Sequence, residues 1–368
     1  MKVVVSGYIG KKITGIGRNL ISLLDASESG TEYVVYTNYD IAKDFQFRNP
    51  RVTVKTYPVS AQDSMKNLLW TTFVFPLVVL REGADRALIP NFTLLLFKFR
   101  RTAVILNDLI EFNVPRKFSK LKMFYRTKLA DPITARRADT LITISKNSKQ
   151  DIVKYLHIPP EKIGVVYCGV DREKFRRMPE EESARIFAEK GWPEDFLLYA
   201  GTVDHPGKNA MNVIRAFERL KAKKKYDGSL ILAGMPGSGY EKIERHVSRS
   251  KVKEDIILTG YVTDRELVAL YSRCRLFCFL SLYEGFGIPP LEALSCGAQV
   301  IVSSTSSLPE VVGNVGFTVD PEDVTQIAHQ MEELLSGKLR ADEAQISRHL
   351  RYYDWKRLSA HFEKLLLG

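Results

Sequence analysis

Short apolar runs alternate with amphipathic stretches along most of this chain. In the first half the strand-like runs are residues 3–6, 33–37, 52–57, 87–89, 103–106, 140–144 and 164–167. Helical patterns fall between several of them, notably at 18–25, 120–137 and 146–155. Near residue 172 the texture changes. Residues 172–194 are charged, hold Pro179 and Pro193, and read as a connection between domains. A second alternation follows, with strand-like runs at 196–201, 229–234, 256–260, 276–281, 299–303 and 317–319. Its helical patterns lie at 209–224, 264–272 and 323–335, and an amphipathic terminal helix is expected from Asp354 onward. Strands alternating with helices predict parallel sheets covered on both faces. The expected fold class is α/β: two doubly wound, Rossmann-like domains facing each other across a cleft. The expected boundaries are 1–172, 173–350 and a terminal segment 351–368. A chain of 368 residues also exceeds what one hydrophobic core usually organises.

Composition adds one asymmetry. At 45% hydrophobic and 26% charged the chain is an ordinary globular one, but its net charge is +11. Residues 1–170 carry 26 Lys and Arg against 14 Asp and Glu, while the remainder carries 28 against 29. The densest basic patch is Arg116, Lys117, Lys120, Lys122, Arg126 and Lys128, with no acid between Phe112 and Ala130. Apolar side chains, among them Leu121, Phe124 and Leu129, are interleaved with it. Such a segment suits an anionic membrane surface. A solvated helix face is the plainer alternative, and no nucleic-acid motif accompanies the patch. The longest apolar run, residues 68–80, is interrupted by Pro76 and too short to span a bilayer. It is expected to be a buried helix, with an interfacial contact as the alternative. Four scattered cysteines fit buried thiols in a reducing cytoplasm better than disulfides. Met1 leads straight into a strand, which leaves no expected signal peptide.

The candidate chemistry sits at strand ends. Residues 284–292 (EGFGIPPLE) place Glu284 and Glu292 on either side of a glycine turn and a proline-started helix. Gly285 and Gly287 allow backbone to approach a ligand, and Pro289 and Pro290 suit a first helical turn. The helix start, at Ile288, offers N–H groups to an anion. Gly201, Thr202 and Lys208 follow the first strand of the second half, and Lys208 at the mouth of the next helix makes a diphosphate clamp. Gly15, Ile16 and Gly17 follow the first strand of the chain, where a structural turn and a ligand-binding loop are equally open. Asn107 and Asp108 end another strand, either touching substrate or capping the next element. No metal-ligand cluster and no Ser-His-Asp, HExxH or P-loop pattern is present.

Taken together, these segments resemble the retaining, nucleotide-sugar-dependent glycosyltransferases of family 4, also called glycosyltransferase group 1, which have the GT-B fold. The most specific likeness is Glu284 to Glu292, which matches that family's E-x7-E signature with its interior Gly-Phe-Gly and Pro-Pro. Lys208-Asn209, Gly15-Ile16-Gly17, Ile142-Thr143-Ile144-Ser145-Lys146 and Val165 to Asp171 match further segments. The resemblance implies donor nucleotide on the second domain and acceptor on the first, with the terminal helix crossing back to the first. It implies Glu292 on the ribose hydroxyls, Lys208 on the diphosphate, Glu284 at the reaction centre, and Phe286 and Gly287 offering backbone groups. It further implies no metal and no separate cofactor, with GDP-mannose or a UDP-sugar as donor. The acceptor would be a glycan or lipid-linked acceptor of lipopolysaccharide, capsule or exopolysaccharide at the cytoplasmic face of the plasma membrane. Three departures stand out: Thr202 where many relatives have arginine, Asn107 where histidine is common, and Thr14 in place of a first glycine. A sugar-nucleotide epimerase, a phosphorylase, and a binding module without catalysis are the alternatives.

Overall fold

The computed structural model describes residues 1–11, 13, 15–90, 93–114 and 119–368. The chain divides into two units, Met1–Gly169 with Tyr353–Gly368, and Val170–Tyr352. In the first unit seven strands form one sheet: β1 (Lys2–Ser6), β2 (Glu32–Asn38), β3 (Val52–Tyr57), β4 (Arg86–Ile89), β5 (Arg101–Ile105), β6 (Thr140–Thr143) and β7 (Ile163–Val165). Their order is β3-β2-β1-β4-β5-β6-β7. The second unit holds β8 (Phe196–Ala200), β9 (Ser229–Ala233), β10 (Ile256–Gly260), β11 (Leu276–Phe279), β12 (Val300–Ser303) and β13 (Phe317–Val319). Here the order is β10-β9-β8-β11-β12-β13. Neighbouring strands in both sheets pair in parallel.

Burial on both faces explains the near-continuous apolar strands. In β1, Val4 enters a core with Trp70, Phe75 and Val79. Its neighbours Val3 and Val5 enter a second core on the opposite face, with Leu20, Leu24 and Phe362. Side chains of successive strand residues point to opposite faces, so a helix layer on each side is required. The second unit repeats this arrangement, with Leu197 and Tyr199 packing against Phe217 and Met331.

The terminal helix, Trp355–Leu367, belongs to the first unit. Asp354 caps it by accepting from the backbone of Lys356 and Arg357. Phe362 and Leu366 are fully covered, each burial worth about 1.5–3 kcal/mol. Glu363 is buried beside them and its Oε1 accepts from three hydroxyls: Ser27 (2.6 Å), Ser29 (2.6 Å) and Tyr33 (2.7 Å). Burial, and then Glu363 itself, push the Tyr33 hydroxyl well above its ordinary range, so it stays a donor. Removing the shared acceptor strands the buried hydroxyls of Ser27 and Tyr33, while half-buried Ser29 keeps Thr31 Oγ1 at 2.8 Å. Glu363→Ala is expected to cost about 3–5 kcal/mol of stability, read as a lower urea midpoint; an unchanged midpoint would refute the network.

Several expectations are corrected. Residues 172–194 are not merely a connection, because Glu180–Lys190 is a helix. Three glutamates in its first turn favour the positive end of its dipole. Ile186 and Phe187 are buried, and Gly191 closes it in the left-handed conformation. Gly15, Ile16 and Gly17 do not form a loop but open the helix Gly15–Asp25. A Cβ on Gly17 would lie 2.1 Å from Ile9 Cδ1, so close packing accounts for that glycine, whereas Gly15 faces open space. Thr14 lies outside the described residues, as do Arg116 and Lys117.

The apolar run at 68–80 is helical but only half buried. It spans the α-helix Ser64–Leu69, π-helical turns at Trp70–Val74, and the α-helix Phe75–Arg81. A helix lying on a sheet buries one face, and Trp70, Phe75 and Val79 occupy it. The pattern at 120–137 likewise splits into Lys120–Phe124, π-helical turns at Tyr125–Ala130, and Asp131–Arg137. Among the described residues no helix is long and apolar enough to cross a membrane.

Arg126 departs from the surface patch in which it was expected. It is turned inward, with Nε 2.9 Å from Glu111 Oε1, and Asp131 is also buried there. Burial, with the Glu111 carboxylate alongside, holds Asp131 well above the ordinary carboxylate range. A carboxyl group raised in this way contributes fully below its unfolded pKa and loses that contribution as pH rises toward its folded value. Asp131→Asn removes the titration. The variant is expected to gain thermal stability over the parent between about pH 5 and about pH 8, measured by melting across that range. Parallel curves would show that folding does not raise the Asp131 carboxyl above its unfolded value.

Candidate active site

In the second unit, β8 has β9 on one side and β11 on the other. The chain winds away in opposite senses from β8 and β11, so their carboxyl ends flank a crevice of the kind that binds ligands in open α/β sheets. Residues 201–209 leave β8, and residues 280–287 leave β11. The two loops are joined by Leu282 N–H donating to Gly207 O at 2.9 Å. At this junction Lys208 Nζ lies 2.5 Å from Glu284 Oε1, with the two side chains 32% and 14% exposed. The Phe279 ring, at the end of β11, has its centroid 5.8 Å from the ammonium, a cation–π contact.

The first loop is held from within. Buried Asp204 accepts the backbone N–H of Lys208. Tyr199 donates its hydroxyl to Thr202 O at 2.6 Å, while the Thr202 side chain is exposed. Asn209 precedes the helix Ala210–Ala222 but does not cap it with its side chain. Its Nδ2 donates instead to Pro321 O at 2.7 Å, which secures the lysine loop to the segment after β13.

The glutamate loop is shaped by a run of hydroxyls, Ser303-Ser304-Thr305-Ser306-Ser307, that sequence reasoning passed over. Ser303 donates to Ser281 O (2.7 Å) and Thr305 to Leu282 O (3.1 Å). Ser306 Oγ accepts from Glu284 N (3.1 Å), and Ser307 Oγ bridges the carbonyls of Glu284 (3.0 Å) and Phe286 (2.7 Å). Those two carbonyls are thus engaged within the protein. Five consecutive hydroxyl residues leaving a strand beside a glycine loop were the available signal, because such side chains readily bond nearby backbone.

Gly285 and Phe286 are buried, and Ile288 is half-buried. Gly287 has φ +103°, and a Cβ there would lie 2.5 Å from Leu308 Cδ2. No other residue fits that turn without rearrangement. The helix Ile288–Ser295 begins directly after it, with both prolines in its first turn. Glu292 is half-buried one turn on, and Tyr271 OH lies 3.4 Å from its Oε2.

Nearby thiols are not nucleophile candidates. Burial pushes the Cys274 and Cys278 thiols up, and burial with the Glu292 charge takes Cys296 to about 12. Neutral thiols of this kind are unreactive. Burial also lowers His205, with Arg215 and Lys242 adding to it. Among the described residues no three His, Cys, Asp or Glu side chains group as a metal site.

The remaining candidates lie in the first unit. Asn107 is buried after β5, where its carbonyl accepts from Thr143 Oγ1 at 3.3 Å. Asp108 is half-buried and its Oδ1 accepts from Ile110 N at 3.1 Å. This contact turns the chain toward the helix Ile110–Asn113. The structure therefore brings Lys208, Glu284 and the 288–295 helix together in the second unit, and keeps Asn107 and Asp108 on the first.

Two family models match consecutive stretches of the chain: Glycosyltransferase Family 4 over residues 33–174, and Glycosyl transferases group 1 over residues 182–350. The chain is 33% identical over 244 residues to the serotype-specific mannosyltransferase WbdA of Escherichia coli, covering 65% of this chain and 29% of that protein. It is 32% identical over 253 residues to the O-antigen chain mannosyltransferase B of Escherichia coli, covering 68% and 65%. The chain thus spans under a third of the first relative and just under two thirds of the second. Among solved structures, Anabaena Alr3699/HepE in complex with UDP superposes with a TM-score of 0.77 at 16% identity, covering 100% of this chain and 99% of that one. That likeness places the two Rossmann-like units in the GT-B class. With the E-x7-E loop of β11 and the lysine loop of β8 side by side on such a sheet, the chain belongs to the group 1, family 4 glycosyltransferases.

Proposed function

We propose that this protein is a retaining hexosyltransferase that moves mannose or a similar hexose from a nucleotide-sugar to a glycan or lipid-linked acceptor of a surface polysaccharide. The observation that carries the reading is the Lys208–Glu284 pair at the switch point of the second sheet, directly before the 288–295 helix. In this reading the donor diphosphate takes Lys208 from Glu284, and the helix start adds backbone N–H groups. Glu292 accepts from the ribose hydroxyls, with Tyr271 behind it. Glu284, released from the lysine, faces the donor sugar. As the bond from the anomeric carbon to the diphosphate oxygen breaks, the electron pair leaves with the diphosphate. That oxygen then accepts the acceptor's hydroxyl proton while the acceptor oxygen bonds to the anomeric carbon on the same face, so the configuration is retained.

The names of the curated relatives favour mannose, and hence GDP-mannose over the UDP-sugars. The basic first unit is expected to bring the protein to the anionic cytoplasmic face of a membrane, where a pyrophosphate-linked acceptor would reside. A thermal-shift panel of GDP-, UDP- and ADP-sugars, followed by NMR of the product's anomeric configuration, tests the proposal. GDP-mannose is expected to raise the melting temperature most and to yield an α-linked product. Absence of transfer with every donor, alongside intact binding, would point to a binding module without catalysis.

A further inference from the structure

The apolar helix of the first unit leaves one face uncovered. Leu69, Phe73, Val74, Leu77 and Leu80 are 42–64% exposed, although the same helix sends Trp70, Phe75 and Val79 into the core. Phe97 continues that face, 55% exposed and 6.2 Å from the Phe73 ring. The segment carrying Phe97 is fastened to the neighbouring helix Asp131–Arg137. Thr134 Oγ1 donates to Thr93 O (2.5 Å) and accepts from Leu95 N (3.1 Å). On the turns before that helix, Leu121, Phe124 and Leu129 are 81%, 58% and 40% exposed. Three linked segments therefore present large apolar side chains to solvent. Scattered apolar residues are ordinary on a surface, but the helix row from Leu69 to Leu80 with Phe97 is a contiguous set, and such a set marks an interaction site.

Charge identifies the partner. Residues 64–81, 93–101 and 119–130 hold nine Lys and Arg and no Asp or Glu. Arg126 is the one turned inward; the other eight are exposed. The acids at the margins are engaged: Asp63 with Lys66 at 3.1 Å, and Glu82 with Lys2 (2.8 Å) and Lys55 (2.6 Å). A nucleic acid would leave the leucines and phenylalanines without a role. A second copy of the same face would set like charges against each other. Apolar side chains ringed by lysine and arginine match the boundary between acyl chains and anionic headgroups.

We infer that this face, made of the 64–81 helix, Phe97 and the turns around Leu121 and Phe124, docks on an anionic lipid bilayer and inserts its apolar side chains among the headgroups. This extends the lipid-linked acceptor reading, because it assigns the inserting element to the 64–81 helix as well as the basic turns. The basic turns alone would give binding that salt abolishes, whereas insertion leaves a salt-resistant part.

Flotation of the purified chain with phosphatidylcholine vesicles, with and without phosphatidylglycerol, tests it. Binding is expected to require phosphatidylglycerol, and Leu77→Glu is expected to weaken it about tenfold or more. Leu121→Glu, at the most exposed position, is a second variant on the other helix and should do the same. Both should keep wild-type transfer to a water-soluble acceptor analogue, since neither side chain belongs to the core or the candidate site. Wild-type vesicle binding in both variants would overturn the surface while leaving the transferase proposal intact. Lipid-independent self-association abolished by Leu77→Glu would reassign the face to a protein contact. Loss of soluble transfer in the wild type would instead count against the transferase reading.

Discussion

Glu284→Gln is expected to lower kcat for sugar transfer by about 10²–10³-fold with little change in donor KM. The substitution keeps the shape of the side chain and removes its charge. Its backbone anchors, Ser306 and Ser307 on the Glu284 amide and carbonyl, do not depend on that charge, so the loop should hold its position. What is lost acts late in the reaction. As the anomeric carbon parts from the diphosphate it gains positive character, and a fixed carboxylate in a half-buried crevice stabilises that state more than the ground state. Steady-state kinetics on the purified variant decide the matter. A fall confined to KM would make Glu284 a binding group, and an unchanged kcat would remove it from the reaction centre.

Lys208→Ala is expected to reduce kcat/KM by a comparable factor, about 10²–10³-fold, but through the leaving group. The exposed Thr202 side chain supplies no cation at its position, so in the proposed mechanism the charge on the departing diphosphate would rest on Lys208 and on backbone N–H groups. Calorimetry should show nucleoside diphosphate affinity falling much further than nucleoside monophosphate affinity. Equal losses for both would mean that Lys208 holds the loop rather than the diphosphate. The two substitutions touch one ion pair, so their effects should not add. The alanine leaves Glu284 without its lysine, and adding Glu284→Gln to that variant should cost less than it does in the parent.

The thirteen strands were legible because strands buried on both faces are short, apolar and separated by helical patterns, and their observed ends differ by two residues at most. The lysine and glutamate loops were legible as glycine turns between a strand and a helix. Other features depend on what lies across the fold. A helix that is apolar all round does not disclose which side the sheet will cover, so the exposure of Phe73 and Leu77 had no local signal. Arg126 reads as one more surface cation until Glu111 and Asp131 are known to face it. The hydroxyl run at 303–307 works on a loop more than twenty residues away in sequence, and only the pairing of β11 with β12 brings the two together. The charged stretch 172–194 conceals a helix because charge and proline suit a connection as well as they suit a helix start, here Pro179 followed by Glu180, Glu181 and Glu182.

The placement of the terminal helix bears on the order of synthesis. The second unit is one continuous stretch, Val170–Tyr352, whereas the first needs Tyr353–Gly368 as well. The second unit can close on itself without any residue outside that stretch. The first, although made earlier, must wait with Leu20, Leu24 and Tyr33 only partly covered until Phe362, Glu363 and Leu366 arrive. Domains usually complete in the order in which they are made; here the unit made first depends on the last segment of the sequence, Tyr353–Gly368. A chain truncated after residue 352 should therefore carry a protease-resistant second unit behind a protease-sensitive first one.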